Sequence, residues 1–197
     1  MGMLFLRYQE YYESTNNKFR GIPFKIFDYM EWYVKHNKKK SFTYPEDFVG
    51  YNIPSEIIFE CLFSIPKNDN NNYDFEMELI CDKCNKASKD KPFYLIAGAD
   101  TTTFKHELAH GLWYTNIRYR LEMIELLNNL PTNIKLDCYK KLSKHYTKEV
   151  LPDELQAYMA TGLSGSIGFL KTISSHRKKF VKVFNEYTGT IGRNIVH

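Results

Sequence analysis

The sequence has few cysteines, no long apolar run and no recognisable export signal. Four Cys occur in 197 residues and only two are close together, which is too few for a disulfide framework and favours a reducing compartment. No segment approaches the roughly 18 consecutive apolar residues of a membrane span. The first residues, MGMLFLR, lack the basic start and apolar core of a secretory signal. We therefore predict a cytoplasmic protein without membrane association; export by a route that needs no cleavable signal stays an alternative.

The chain also lacks a strong charge of either sign. Its net charge of +4 is modest and does not mark a nucleic-acid-binding protein, which would concentrate Lys and Arg on one face, so nucleic acid is not an expected partner. A glycine-rich break at residues 162–168 has no phosphate-loop lysine behind it, which argues against a nucleotide site. The composition, 43% hydrophobic and 16% aromatic, supports one compact domain over residues 1–197. It does not predict the oligomeric state.

The motif that does stand out is His106-Glu107-Leu108-Ala109-His110. Residues four apart on a helix share a face, so the two imidazoles would point at one place, as nitrogen ligands of Zn²⁺ do. Glu107, next to the first His, is placed to act as a general base on water. The motif therefore predicts a metal site on a helix.

The flanks give the motif the context that it needs. Residues 92–98, PFYLIAG, form a short apolar run between Pro and Gly, which predicts a strand. Asp100 and the following threonines are suitable N-caps for a helix. On that helix we expect Phe104, Leu108 and Leu112 to pack inward while both His face a cleft.

This order of strand, cap and HExxH helix resembles the active-site region of zincin metallopeptidases, over residues 92–163. Metzincins would require Gly at position 113 and His at position 116, where this chain has Trp113 and Asn116. Gluzincins instead use a Glu from a later helix, and Glu154 in LPDELQAY resembles that ligand. The short length makes the compact minigluzincins the most similar type.

The resemblance implies a zinc ion held by His106, His110 and Glu154. In many gluzincins an Asp four residues after the ligand Glu orients the first His; here that position is Tyr158. Other carboxylates stay open as ligands, namely Glu122, Glu125, Asp137, Glu149, Asp153 and Glu186.

The resemblance further implies a zinc-dependent metallopeptidase that hydrolyses peptide or protein substrates. Glu107 would be the general base, and Tyr158 the first choice of donor to the developing oxyanion. Other donors stay open: His145, Tyr146 and His176. The alternative function is a catalytically silent or latent zincin-fold protein that binds a partner, with the tail ending at His197 as one element that could block the cleft.

The implied fold class is α+β and zincin-like, with a small mixed sheet beside the HExxH helix and a mainly helical C-terminal part. Residues 1–75 are an N-terminal elaboration without assignment. Apolar spacing predicts a helix at 22–36, with Phe24, Phe27, Met30, Tyr33 and Val34 on its inner face. Alternating residues predict a strand at 74–81, paired with the strand at 92–98, and a second strand at 58–65. Cys81 and Cys84 form a CxxC at the tip of that hairpin, read as two reduced thiols, with a metal knuckle or redox pair as the alternative.

In the remaining chain the spacing predicts three further helical segments. The HExxH helix is expected to run on to residue 130, where Pro131 ends it, and another helix is expected at 132–146. Residues 154–163 would carry the ligand Glu, and residues 169–187 would form a basic amphipathic helix.

Overall fold

A computed structural model describes residues 1–66, 69–162 and 173–191 of the chain. The pattern of contacts between Cα atoms divides the chain into two compact units, Met1–Ala99 and Asp100–His197. The boundary between them falls inside the predicted core at 92–163, after the strand and before the HExxH helix. The organisation of 1–197 as one metallopeptidase-like domain stays a prediction.

The described part of the first unit contains five helices and two strands. The strands β1, Gly50–Pro54, and β2, Tyr94–Gly98, pair antiparallel, with Gly50 opposite Gly98 and Pro54 opposite Tyr94. The helices are α1, Gly2–Glu13; α2, Ile26–His36; α3, Tyr44–Asp47; α4, Ser55–Ser64; and α5, Asn72–Ser88. The α+β class and the strand at 92–98 are confirmed. The expected mixed sheet is instead antiparallel among the described residues.

The predicted strand at 74–81 is wrong, because these residues belong to helix α5. Asn71 caps the helix by accepting from the backbone N–H groups of the first turn, and the Asp74 side chain accepts from the Asn71 N–H in return. The buried residues of α5 are Asp74, Met77 and Cys81, which have helical spacing, whereas Phe75 and Leu79 are exposed. The strand predicted at 58–65 is likewise wrong, since α4 covers most of it.

The helix predicted at 22–36 is confirmed from Ile26 onwards, and Tyr33 is buried as expected, but Phe24 precedes the helix and Phe27 is not on its buried face. Tyr29 and Tyr33 are in the core of the first unit, while Phe27 is 65% exposed. The aromatic rings of Phe19, Phe24 and Trp32 border a cavity of about 700 Å³ within this unit.

The CxxC motif lies inside helix α5, so the expected hairpin tip is wrong. Cys81 and Cys84 are free thiols, and Cys81 is buried. Burial, together with the nearby Cys84 and Asp82, raises the pKa of Cys81 to about 12, and burial also raises the pKa of Cys84. Both groups are therefore protonated at neutral pH, which supports the reduced-thiol interpretation over metal or redox chemistry.

The second unit is helical in its described residues. Its helices are α6, Thr101–Thr115; α7, Ile117–Asn128; α8, Thr132–Leu142; α9, Leu151–Thr161; and α10, Arg177–Ile191. Their apolar faces meet in one core that includes Met123, Leu142, Leu155 and Phe180. Helix α9 packs against α6, α7, α8 and α10, so the helix that carries Glu154 is central to this unit.

Three helix boundaries of the second unit differ from the sequence predictions. The HExxH helix does not run to residue 130: it ends at Thr115, and the Asn116 side chain caps α7 by accepting from the N–H groups of Arg118 and Tyr119. The helix predicted at 132–146 ends at Leu142. The C-terminal helix begins at Arg177, and residues 163–172 and 192–197, including the predicted break after Gly162 and the tail at His197, lie outside the described residues.

Among the described residues, none of the helices has the length and apolar content needed to cross a membrane.

Candidate metal centre

Helix α6 begins where the sequence places its cap. Asp100 Oδ1 accepts from the backbone N–H groups of Thr102 and Thr103 at 2.8 and 2.9 Å, and Oδ2 accepts from the Thr103 hydroxyl at 2.9 Å. These hydrogen bonds hold the pKa of Asp100 below its usual value. The predicted N-cap is confirmed, and it fixes the start of the HExxH helix.

The inner face of α6 carries both histidines of the motif. His106 and His110 are each 3% exposed, and Leu112 is buried in the apolar core as expected. The Nε2 atoms of the two imidazoles are 3.3 Å apart. The expectation for Phe104 is wrong, because this side chain is 43% exposed.

Glu154, on the first turn of α9, completes a group of three. Its Oε2 atom lies 4.0 Å from His106 Nε2, and its Oε1 atom lies 3.8 Å from His110 Nε2. One ligand atom from each of the three residues falls within 4.8 Å of the others, and all three residues are buried. A tetrahedral Zn²⁺ with bonds of about 2.0–2.1 Å separates its ligands by roughly 3.3–3.4 Å. The distances are close to those that such an ion requires.

The Nδ1 atom of His106 forms a hydrogen bond with a threonine. His106 Nδ1 lies 3.3 Å from Thr161 Oγ1, and the same hydroxyl donates to the Ala157 carbonyl at 2.7 Å. Because a hydroxyl has a single proton, Thr161 must accept from His106 Nδ1–H. The Nε2 atom of neutral His106 is therefore the one with the free lone pair, and it is directed at His110 and Glu154.

The Nδ1 atom of His110 forms a hydrogen bond with a carboxylate. His110 Nδ1 lies 3.0 Å from Asp153 Oδ1, which can only accept, so the ring donates through Nδ1 and directs Nε2 inward. Both histidines thus direct Nε2 at one point. Neutral His106 offers its Nε2 lone pair at this point, and His110 would offer its own once Nε2 is deprotonated, as metal binding requires.

The pKa values of the two histidines move in opposite directions without a bound cation. Burial, reinforced by the neighbouring His110, lowers the pKa of His106 well below its usual value. Burial acts the same way on His110, but the Asp153 and Glu154 carboxylates outweigh it and raise the pKa of His110 to about 10. The acidic neighbours of His110 thus favour a positive charge at this position. A divalent metal ion bound here would supply that charge in place of the proton.

Glu107 and Tyr158 border this group. Glu107 is 6% exposed, and its charge influences His110 and Tyr158. The ring centroids of Tyr158 and His106 are 4.6 Å apart, and the Tyr158 hydroxyl oxygen is 3.4 Å from that of Tyr146. Burial is the main cause that raises the pKa of Tyr158 to about 12, so this phenol is a neutral donor at physiological pH.

Four of the six alternative carboxylates have defined contacts in the structure. Asp153 contacts the outer side of His110, as described above. Three others have partners away from the two histidines: Glu122 accepts from Tyr187, Asp137 pairs with Lys141, and Glu186 pairs with Lys182. Of the alternative donors, Tyr146 lies next to Tyr158. The sequence analysis missed Thr161 and Gln156, because both act through contacts between helices.

Comparison with known proteins supplies no family for this chain. No protein-family model, curated protein or solved structure matches it. The chemical interpretation therefore depends on the residues and on their geometry.

Proposed function

We propose that the chain is a zinc-dependent metallopeptidase that hydrolyses peptide bonds. The observation that carries the proposal is the buried group of His106, His110 and Glu154, whose ligand atoms lie within 4.8 Å of one another. Two imidazole nitrogens and a carboxylate are the ligands of catalytic zinc sites of the gluzincin type. When bound at such a site, zinc polarises a carbonyl and lowers the pKa of water to about 7.

In this proposal the side chains around the three ligands have separate chemical roles. Glu107, next to His106 on α6, accepts a proton from the attacking water and returns it to the leaving amine. The neutral Tyr158 phenol donates a hydrogen bond to the carbonyl oxygen as negative charge develops on it. Asp153 and Thr161 keep the imidazoles in the tautomers that the site requires.

Replacing Glu107 by Gln tests the catalytic part of the proposal. The amide has the same shape but cannot take up a proton, so turnover should fall by about 10²- to 10⁴-fold while bound zinc is retained. A matched control is Glu125→Gln, which changes an exposed Glu of α7 in the same way. Cleavage of a denatured protein and of a mixed peptide library, followed by mass spectrometry, gives the readout.

The outcomes separate the proposal from its alternative. Loss of cleavage in the Glu107→Gln variant and full activity in the Glu125→Gln variant support the peptidase. A wild-type protein that binds zinc but cleaves nothing under any tested condition would instead identify a silent or latent protein. Cleavage by the Glu107→Gln variant at the wild-type rate would remove Glu107 from the mechanism.

A further inference from the structure

We infer that Gln156 and Tyr119 are positioning residues of the metal centre, which fix His110 through Asp153. This inference rests on the proposed function, because it concerns the same site. Gln156, on α9, and Tyr119, on α7, are both fully buried, and neither belongs to the HExxH motif.

The contacts of the Gln156 amide determine its orientation. Its Nε2 atom lies 2.9 Å from Asp153 Oδ1 and 3.3 Å from the Ala109 carbonyl oxygen. Both neighbours can only accept hydrogen bonds, so the NH₂ group must face them and the amide oxygen must face the other way. That oxygen lies 2.7 Å from the Tyr119 hydroxyl, which therefore donates to it.

The same logic gives a direction to the whole chain of contacts. Tyr119 donates to Gln156, and Gln156 donates to Asp153 Oδ1. The oxygen that receives this bond also receives the Nδ1–H of His110 at 3.0 Å. Asp153 Oδ1 thus accepts both hydrogen bonds, and His110 keeps the tautomer that directs Nε2 at Glu154. A rotated amide would place its oxygen against the carboxylate, and the Tyr119 hydrogen bond opposes that rotation.

The two histidines are consequently held by different means. The partner of His106 is Thr161, whose hydroxyl bonds back to the Ala157 carbonyl of its own helix. The orientation of His110 depends on three helices, because the contacts run from α7 through α9 to α6. Partners of metal-bound histidines typically change metal affinity about 10- to 100-fold when they are mutated.

The test measures metal binding and not turnover. Gln156→Met keeps the approximate volume and removes all three side-chain hydrogen bonds. We therefore expect the Co²⁺ dissociation constant to rise about ten-fold and the visible Co²⁺ spectrum to change. Gln156→Glu keeps an acceptor for Tyr119 but loses the donor to Asp153. If the donor is what matters, this variant binds Co²⁺ no better than Gln156→Met does.

A tyrosine pair supplies the matched control. Tyr119→Phe removes one buried hydroxyl, and we expect a few-fold weaker binding and a smaller spectral change. Tyr187, whose ring lies 5.4 Å from that of Tyr119, donates instead to Glu122 on the exposed surface. Tyr187→Phe should therefore leave both the affinity and the spectrum at their wild-type values.

The results have distinct meanings. Tight wild-type binding that is unchanged in Gln156→Met and Tyr119→Phe overturns this inference and leaves the proposed function standing. A wild-type protein that binds neither Co²⁺ nor Zn²⁺ overturns the proposed function and the inference together. If Gln156→Met does not fold, Tyr119→Phe decides: weaker binding with a changed spectrum supports the inference, and wild-type values overturn it.

Discussion

Neutralising Asp74 should destabilise the first unit strongly, because it is the counter-charge of a buried arginine. Arg7 and Asp74 side chains are 3% and 1% exposed, and Arg7 Nη1 lies 3.1 Å from Asp74 Oδ2. The Asp74 carboxylate also accepts from the Tyr8 hydroxyl at 2.8 Å and from the Asn71 backbone N–H at 2.9 Å. The Asp74→Asn substitution keeps the shape of the side chain but removes its charge.

The expected loss follows from these contacts. Leaving one partner of a buried ion pair without its counter-charge costs about 3–5 kcal/mol. With a urea m-value of about 2 kcal/mol/M, a loss of about 3 kcal/mol lowers the unfolding midpoint by roughly 1.5 M. Equilibrium urea unfolding followed by far-UV circular dichroism measures this shift.

The chain offers a matched aspartate in a different environment. Asp47 accepts from the Tyr33 hydroxyl and pairs with Lys39, as Asp74 does with Tyr8 and Arg7, but its side chain is 32% exposed. Water screens this pair, so Asp47→Asn should shift the midpoint far less. Equal shifts in the two variants, or a shift of under about 0.3 M for Asp74→Asn, would refute the burial argument.

Two further predictions concern single positions. Gly162→Ala should destabilise the second unit by about 2–3 kcal/mol. The φ angle of Gly162 is +72°, and an added Cβ would lie 2.3 Å from the Arg177 guanidinium. Moving that side chain would disturb the hydrogen bond that Arg177 Nε donates to the Met159 carbonyl. Gly21→Ala, at φ +67° with open space around it, is the control for thermal melting and should cost less; equal losses would contradict the Arg177 contact. Glu10→Gln should stabilise the protein at neutral pH, because burial raises the pKa of Glu10 against the opposing hydrogen bonds from Ser14 and Tyr29. Since the folded pKa of Glu10 is above the unfolded one, the free energy of unfolding of the wild type rises as the pH falls from the folded towards the unfolded pKa. Urea titrations across this range should show a smaller pH dependence in the variant. Identical curves for the two proteins would contradict the assignment.

The HExxH helix could be predicted because its signals are local. The histidines are four residues apart, Asp100 is an ordinary N-cap, and the preceding run between Pro and Gly has the composition of a strand. Each signal depends on residues within one or two turns. The structure agrees on the cap, the strand and the shared face of His106 and His110.

Helix α5 was mispredicted because an apolar alternation coincided with a helical pattern. Phe75, Met77 and Leu79 alternate as in a strand, but only Met77 is buried. The stronger local signal was the Asn71 and Asp74 capping box, which starts a helix whichever way the apolar residues are spaced. The end of α6 at Thr115 was missed for a related reason, because Asn116 caps the next helix.

The surroundings of the metal centre could be predicted only in part. Glu154 came from a family resemblance, and the structure places it beside both histidines. The roles of Asp153, Thr161 and Gln156 depend on how α6, α7 and α9 pack. Their partners on α6 and α7 are 37 to 55 residues away in the sequence. Spacing along one helix carries no information about such contacts.

The most direct test of the account is the zinc content of the purified chain after dialysis against metal-free buffer at neutral pH, measured by elemental analysis. The account predicts one zinc per chain in the wild type, loss of that zinc in His110→Ala, and retention in His145→Ala, which changes an exposed histidine of the same unit. Zinc-loaded wild-type protein that loses all its metal on dialysis, or His110→Ala protein that keeps it, would contradict the assignment of His106, His110 and Glu154 as a metal centre.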